Sequence, residues 1–196
     1  MSRRWPIHVT LRLRDDLPGL HRGRLFRLVR EALRASCERD FFRLCHFSWQ
    51  GNHLHCICEA EDAQTLARGV QGLAVRLARR LNRRLGRRGA VYAERYHARV
   101  LKTPLEVKRC LAYVLLNVKK HRAQRGERIG PDWFDPYSSA AWFDGWAEAL
   151  PSHEPWMREL TREAPAVAPA RSWLLATGWR EKHGPLSVAQ TPGNGA

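Results

Sequence analysis

The sequence predicts an α+β fold in which an antiparallel sheet carries helices on one face, followed by a mostly helical C-terminal extension. Three observations lead to this prediction. Short segments that alternate apolar and polar residues predict strands, and longer segments with apolar residues three or four positions apart predict helices. Turn residues separate these segments, and the composition changes after about residue 126. The 196 residues are enough for a domain with a substantial core.

The first part of the chain supplies a strand, a helix and a hairpin. Residues 7–13 alternate apolar and polar side chains and predict the first strand. Pro18-Gly19 predicts the turn that leads into a helix over about residues 22–37. Residues 42–49 predict a second strand, which the turn Gln50-Gly51-Asn52 connects to the next strand in an antiparallel hairpin.

The strand that follows this turn, residues 50–59, carries two histidines. Because side chains alternate along a strand, His53 and His55 share a face, about 7 Å apart at Cα. Two imidazoles at that spacing can converge on one metal ion or one phosphate. A structural zinc site that also uses Cys56 and Cys58 is an alternative, but the thiols leave the strand on opposite faces from the imidazoles.

Residues 62–85 predict a long amphipathic helix rich in arginine. No acidic residue lies between Ala63 and Ala93, and eight arginines fall in this interval: Arg68, Arg76, Arg79, Arg80, Arg83, Arg84, Arg87 and Arg88. Helices normally mix both signs of charge to form pairs one turn apart. We therefore predict that phosphate groups bind this surface, with a solvated basic helix face as the alternative.

The net charge of the whole chain also favours a partner that carries phosphate groups. The sequence has 34 Lys and Arg against 19 Asp and Glu, a net charge of +15, which is typical of proteins that bind nucleic acid. A soluble basic protein without such a partner is the alternative. No apolar run approaches the roughly 20 residues of a membrane span. Five cysteines without a repeating spacing favour reduced thiols, and we expect a cytoplasmic, nucleoid-associated protein.

A further strand and helix complete the main domain. Residues 91–101 predict the strand, and Thr103-Pro104 predicts the start of the helix, with Thr as N-cap and Pro in the first helical position. Tyr113 and Asn117 lie one turn apart on this helix, away from its apolar stripe. The order of elements is close to a ferredoxin-like unit, whose second sheet face we expect to be open, with the histidines in a cleft.

The extension after residue 126 differs in composition. Residues 127–155 contain six acidic residues and one Arg, and six of the eight tryptophans lie beyond residue 130. We predict turns at 131–133 and 135–137, a short helix over 138–149, a linker over 151–169 and a last helix over 172–182. The tryptophans either pack a small core onto the sheet or stack on nucleobases. We assign residues 1–126 to the main domain and residues 127–196 to the extension.

The motif His53-Leu54-His55, together with Tyr113 and Asn117, resembles the single-tyrosine HUH transposases, specifically the REP-associated tyrosine transposases. The resemblance extends from about His8 to His121. It implies the HUH endonuclease palm, in which His53, His55 and Asn117 hold Mg²⁺ or Mn²⁺ and Tyr113 is the nucleophile. In that family an Asn-Pro-Val sequence is common where this chain has Asn117-Val118-Lys119.

The function implied by this resemblance is cleavage and rejoining of single-stranded DNA at hairpins or palindromic repeats through a 5′-phosphotyrosine intermediate. A relaxase-like or replication-type nickase is an alternative, and so is a non-catalytic module that binds single-stranded DNA or RNA. The residues expected to contact DNA are the eight arginines named above with Arg95, Arg99, Arg109 and Lys120. Further candidates for the site stay open, with Tyr92 or Tyr96 as nucleophile and His8 or Glu59 beside the histidines. A homodimer is possible.

Overall fold

The computed structural model describes residues 5–17, 23–39, 41–128, 130, 133–150 and 155–190. The turns predicted at Pro18-Gly19 and Pro131-Asp132 lie outside these residues, as does the start of the predicted linker. The strands are β1 (Ile7–Arg12), β2 (Glu38–Arg39), β3 (Phe42–Gln50), β4 (His53–Ala60) and β5 (His97–Val100). The helices are α1 (Gly23–Arg34), α2 (Ala63–Arg84), α3 (Pro104–Gln124), α4 (Pro155–Arg162) and α5 (Trp179–His183). A 3₁₀ turn covers Ala140–Trp142, and a π-helical turn, Leu174–Gly178, leads into α5.

The five strands form one antiparallel sheet in the order β2-β3-β4-β1-β5. The histidine strand β4 is therefore central, between β3 and β1, as predicted. The hairpin predicted at residues 50–52 joins β3 and β4, and Gly51 has the positive φ of 58° that such a tight turn requires. This arrangement confirms the α+β fold class with an antiparallel sheet.

The two faces of the sheet bury different side chains because strand residues alternate. Leu54, Cys56 and Cys58 of β4 pack with the apolar stripes of α1 and α2 in one core. Ile57 of β4 faces the other side and packs in a second core with α3 and the extension. The predicted parity of β4 is confirmed, and the thiols lie across the sheet from the imidazoles.

The face expected to be open is only partly so. Helices α1 and α2 cover one face as predicted, but α3 and the C-terminal helices cover much of the other. The physical reason is that α3 has a broad apolar surface, including Leu111, Val114 and Leu115, which it buries against Ile57 and the extension. The histidine end of this face remains as a cleft.

The extension completes the edge of β3 that β2 is too short to cover. Trp49 N–H donates to Tyr137 O at 2.9 Å, and Ser139 N–H donates to Phe47 O at 2.9 Å. Ala168 N–H donates to Leu44 O at 2.8 Å further along the same strand. These bonds satisfy backbone groups that an open sheet edge would expose. The boundary at residue 126 stays a prediction, but the two parts share a core.

Several predicted boundaries are wrong. The strand predicted over 91–101 is regular only at His97–Val100, where β1 offers it a partner, and Tyr92 makes an isolated bridge to Leu13. The helix predicted over 138–149 is only a 3₁₀ turn at Ala140–Trp142. Gly145, which follows it, packs against aromatic rings, and a Cβ there would lie 2.4 Å from Phe143 and 2.6 Å from Trp179. The predicted linker contains α4, with Pro155 in its first turn.

The last predicted helix, over 172–182, corresponds to the π-helical turn and α5. The π-helical turn ends at Gly178, which packs closely against Trp173. No helix in the described part of the chain is both long and apolar enough to span a membrane.

Candidate active site

Cross-strand neighbours arrange polar side chains in rows on the α3 side of the sheet. One row contains Arg12 of β1, His53 of β4 and Gln50 of β3. The next row contains Thr10, His55 and Ser48, one from each of the same strands. Side chains directly opposite one another in an antiparallel sheet share a face, so the register itself brings these groups together.

A third row follows in the same direction, with His8 of β1 and His46 of β3 on either side of Ile57. The ring of His8 stacks on that of His55 with centroids 5.5 Å apart, and the ring of His53 lies 5.9 Å from His55 on the other side. Three imidazoles therefore line one path along the sheet.

Helix α3 brings Tyr113 onto this path. The helix begins as predicted: Glu106 N–H donates to Thr103 Oγ1, and the Glu106 carboxylate accepts from Thr103 N–H at 2.9 Å, which is a capping box. Tyr113, two turns later and half-buried, lies edge-on to His55 with ring centroids 5.1 Å apart. Its centroid lies 5.9 Å from that of His8. The structure thus joins the predicted tyrosine to the predicted histidines within one chain.

Asn117 lies one turn beyond Tyr113 and is buried. Its Nδ2 donates to Gln50 Oε1 at 2.8 Å, and His121 Nε2 lies 2.9 Å from the same nitrogen. This bond places Asn117 beside Gln50, which is the cross-strand neighbour of His53. With both Nδ2 hydrogens directed to acceptors, Oδ1 is the atom of Asn117 suited to bind a cation.

Gln50 is also connected to the extension. Its Nε2 donates to Ser48 Oγ at 3.1 Å, and Ser48 Oγ donates to Asp135 Oδ2 at 3.4 Å. Asp135 Oδ1 accepts from Tyr137 N–H at 2.9 Å. Ser48 and Asp135 are both buried, so these hydrogen bonds are shielded from water. A continuous hydrogen-bonded chain therefore connects Asp135 to Asn117.

A cleft of about 1040 Å³ opens between α3, the histidine end of the sheet and the extension. Its walls include His53, His55 and Tyr113 on one side, and Trp133 and Tyr137 of the extension on the other. At its rim the guanidinium of Arg122 stacks on Trp133, 4.8 Å from the ring centroid, and Arg122 also pairs with Glu127 at 2.6 Å. The cleft is large enough for nucleotide-sized groups and adjoins the tyrosine.

Burial keeps the imidazoles neutral. It lowers the pKa of His55 to about 3, and the neighbouring His8, His53 and His121 rings act in the same direction. Burial, followed by the charge of Arg99, lowers the pKa of His8 to about 4. The pKa of His53 is also lowered, again mainly by burial. At neutral pH these rings carry free lone pairs, as metal ligands must.

The pKa values of two acidic groups of the site, Tyr113 and Asp135, are raised. Burial raises the pKa of the Tyr113 phenol, and the Cys110 thiol adds to the effect. Tyr113 is therefore a weaker acid than an exposed tyrosine and needs help to ionise before it can act as a nucleophile. Burial raises the pKa of Asp135 to about 7, although its hydrogen bonds from Tyr137 and Ser48 oppose the shift.

The residues at this site fit a divalent ion that also binds substrate oxygens. Two neutral imidazoles on one strand face, together with the oxygen of an amide that bonds to the cross-strand neighbour of His53, would make an incomplete ligand set, which leaves positions for phosphate oxygens. Among the described residues, no group of three or more His, Cys, Asp or Glu is placed to hold a metal. A zinc site on β4 that combines thiols with imidazoles is excluded, because Cys56 and Cys58 are buried in the α1–α2 core. The Mg²⁺ or Mn²⁺ prediction stays a prediction.

Contacts decide which of the remaining candidate residues belong to the site. Tyr92 Oη donates to Ala74 O at 3.0 Å, and both Tyr92 and Tyr96 pack against the α1–α2 core, across the sheet from the histidines. The Glu59 carboxylate accepts two backbone N–H groups at 2.8 Å and so caps the C-terminal segment; the donors are Arg171 and Ser172. His8, which contacts both His55 and Tyr113, does belong to the site.

The arginine surface of α2 is less uniform than predicted. Arg80 pairs with Glu31 at 2.7 Å, Arg87 with Asp16 at 3.7 Å, and Arg76 donates to Ser36 Oγ at 3.3 Å. The sequence did not reveal these pairs because the acidic partners come from other elements. Eight of the predicted DNA-binding residues are exposed: Arg68, Arg79, Arg83, Arg84, Arg88, Arg95, Arg99 and Arg109. Arg76, Arg80, Arg87 and Lys120 are partly buried.

Helix α2 lies across the sheet from the histidines, but the segment that follows it returns to the end of β1. β1 ends at Arg12, the cross-strand neighbour of His53, and Arg14 N–H donates to Val91 O at 3.0 Å. The segment after α2 therefore runs past the histidine end of the sheet.

Sequence reasoning missed five residues of the site: Thr10, Ser48, Gln50, His121 and Asp135. Two signals could have found some of them. His121 follows Asn117 by one turn, so the helical spacing that links Tyr113 to Asn117 also includes it. Applying strand parity across the predicted hairpin would have placed Gln50 beside His53. No local pattern points to Asp135.

Comparison with known proteins agrees with this fold. No protein-family model and no curated protein matches the sequence. Among solved structures, the chain is similar to a REP-associated tyrosine transposase bound to a REP hairpin, with a TM-score of 0.51 and 14% identity. The match covers 69% of this chain and 76% of that one. The chain has the fold of that transposase. The roles of individual side chains stay predictions.

Proposed function

We propose that the protein is a single-stranded DNA transposase, or a domesticated relative, that cleaves and rejoins DNA at hairpins or palindromic repeats. The observation that supports this most directly is the contact between Tyr113 and His55, with ring centroids 5.1 Å apart. The similarity to a transposase that binds a REP hairpin supports the same class of substrate.

Tyr113 supplies the nucleophile in this proposal. Its phenolic oxygen attacks the phosphorus of a phosphodiester, the P–O3′ bond breaks, and the strand is left with a free 3′-OH. The other product is a 5′-phosphotyrosine, which retains the energy of the broken bond, so that a 3′-OH can later displace Tyr113 and rejoin DNA. The polarity follows from the family resemblance. Since Tyr113 contacts its own chain's histidines, we expect it to act within one chain.

His53, His55 and Asn117 would hold the divalent ion, Mg²⁺ or Mn²⁺, which when bound supplies polarisation of the scissile phosphate and favours the ionised phenol. The protein residues contribute positioning. Thr10 Oγ1 lies 3.2 Å from His55 Nδ1 and sets the orientation of that ring, leaving Nε2 as its ligand atom. Gln50 does the same for the amide of Asn117.

The cleft and the basic surface would bind the DNA. Trp133 and Tyr137 offer aromatic rings to unpaired bases, and the exposed arginines of α2 offer charge to the hairpin backbone. A non-catalytic binding module would need neither a half-buried tyrosine against two imidazoles nor the buried amide beside them.

The test is a covalent adduct. Single-stranded hairpin DNA labelled at its 3′ end is incubated with the protein and Mn²⁺, then denatured and separated by electrophoresis. We expect a labelled protein band with wild type and none with Tyr113→Phe, which keeps the ring contacts and hairpin binding. Tyr96→Phe is the matched control and should form the adduct normally, since Tyr96 lies across the sheet.

An adduct that persists in Tyr113→Phe would overturn the proposal. DNA labelled at its 5′ end tests the polarity, since that label should appear on the free product and not on the protein. Adding a second DNA strand with a free 3′-OH separates a transposase, which joins it, from a nickase that only cleaves.

A further inference from the structure

We infer that Asp135, in the C-terminal extension, is a positioning residue that fixes the direction in which the Asn117 carbonyl points. It acts through a chain of hydrogen bonds that runs through Ser48 and Gln50. The inference rests on the proposed function, because it concerns the amide assigned to the divalent ion. It makes the extension a part of the active site.

The direction of the chain is set at Asp135. Above its pKa of about 7, Asp135 is ionised and can only accept hydrogen bonds. Both of its oxygens do so, Oδ1 from Tyr137 N–H at 2.9 Å and Oδ2 from Ser48 Oγ at 3.4 Å. The single hydroxyl hydrogen of Ser48 is thereby committed to Asp135. Ser48 Oγ can then act toward Gln50 only as an acceptor.

The direction passes on through Gln50 to Asn117. Because Ser48 Oγ must accept, Gln50 turns its Nε2 toward it, at 3.1 Å, and its Oε1 toward Asn117. Gln50 Oε1 then accepts from Asn117 Nδ2 at 2.8 Å. His121 Nε2, at 2.9 Å, accepts the second hydrogen of that amide. The oxygen of Asn117 is therefore directed away from both partners.

Burial prevents single hydrogen bonds of this chain from reversing. Ser48, Asp135 and Asn117 have exposed fractions of 0%, 3% and 5%, so water does not replace a mismatched bond at any of them. A reversed link would set two donors or two acceptors against each other in a medium of low polarity. Gln50, which is partly buried and lines the cleft, connects these buried groups, so a reversal at Ser48 passes to Asn117 through the two ends of its amide.

Replacing the carboxylate by an amide should reverse the chain. In Asp135→Asn the oxygen that accepts from Tyr137 N–H has to stay in place, so the amide nitrogen takes the position that faces Ser48. Ser48 then donates to Gln50, whose side chain turns over and offers its Nε2 to Asn117. Asn117 then accepts this bond with Oδ1, so its Nδ2 takes the direction that Oδ1 had toward the cation. An amide nitrogen is not a metal ligand.

The test measures Mn²⁺ binding to the full-length protein without DNA, at a pH above 7, from the electron paramagnetic resonance signal of free Mn²⁺. We expect Asp135→Asn and Ser48→Ala each to weaken Mn²⁺ binding by about 10- to 100-fold, the range found for residues that orient metal ligands. Asp144→Asn is the matched control. It removes the same charge from an exposed position in the extension and should bind Mn²⁺ as wild type does.

Asn117→Ala completes the design. If Asn117→Ala weakens binding while Asp135→Asn and Ser48→Ala both bind Mn²⁺ like wild type, the inference is wrong. If Asn117→Ala itself binds like wild type, the amide is not a ligand and the inference falls with it. The adduct assay on Tyr113 judges the proposed function separately in both cases. Circular dichroism verifies that each variant is folded. If Asp135→Asn does not fold, the Mn²⁺ affinity of Ser48→Ala tests the inference.

Discussion

Tyr113 and His55 meet edge to face, with ring centroids 5.1 Å apart, although one lies on a helix and the other on the central strand of the sheet. The contact exists because α3 packs on the face of the sheet that carries the imidazoles. It brings a potential nucleophile to a potential metal site within one chain. Each part of this arrangement can be tested separately.

The histidine pair should determine metal affinity. We expect His53→Ala to weaken Mn²⁺ binding by more than the roughly 10- to 100-fold that is typical of losing a residue that only orients a ligand. Because the His53 ring is partly exposed, its removal should cost little stability. The measurement is an isothermal titration with Mn²⁺. The exposed His97 of β5 provides the control, and equal losses in His53→Ala and His97→Ala would contradict the assignment.

Exposed arginines on α2 should contribute phosphate contacts. We expect Arg83→Ala to weaken hairpin binding and to reduce the slope of log affinity against log salt by about 0.7 to 0.9, the value for one phosphate contact. Fluorescence anisotropy over a range of salt concentrations measures this slope. Lys182→Ala removes an equal, exposed charge from α5 and should leave the slope unchanged. An unchanged slope in Arg83→Ala would favour a merely solvated helix face.

Asp135 should make stability depend on pH. Its pKa rises from 3.8 to about 7 on folding, so the folded state favours the protonated acid. The stability that this group contributes is complete below its unfolded pKa and is lost as pH rises toward about 7. At about 1.4 kcal/mol per pH unit, Asp135→Asn should gain about 4 kcal/mol of unfolding free energy relative to wild type over that interval.

Urea unfolding at several pH values measures this difference. The comparison has to be made between the two proteins, because His8 and His55 also titrate as the pH falls. A difference in unfolding free energy that stays constant between pH 4 and pH 7 would show that Asp135 keeps its ordinary pKa of 3.8 in the folded protein.

Glu59 should matter for stability and not for metal binding. Its two carboxylate oxygens accept backbone N–H groups of Arg171 and Ser172, and Gln offers only one oxygen. We expect Glu59→Gln to lower the unfolding free energy by about 1 to 3 kcal/mol, the cost of one unsatisfied buried donor. Mn²⁺ affinity should not change. Glu159→Gln, at an exposed position of α4, serves as control. A loss of Mn²⁺ affinity in Glu59→Gln would show that Glu59 takes part in metal binding.

Local sequence patterns are enough to predict the strand and the helix that carry the site. Period two in β4 puts His53 and His55 on one face, and the interval of four residues in α3 aligns Tyr113 with Asn117. Both follow from backbone geometry, which depends only on local residues. The same reasoning placed the capping of α3 at Thr103, as the structure confirms.

Contacts between residues far apart in the chain could be seen only in the folded structure. Asp135 reaches Ser48 because residues 137–139 bond to the edge of β3. The charge of Arg80 is paired because α1 brings Glu31 beside it. The second face of the sheet is covered because α3 and the extension bury apolar surface there. Hydrophobic burial has no direction, so a local pattern shows that a surface will be covered but not which segment will cover it.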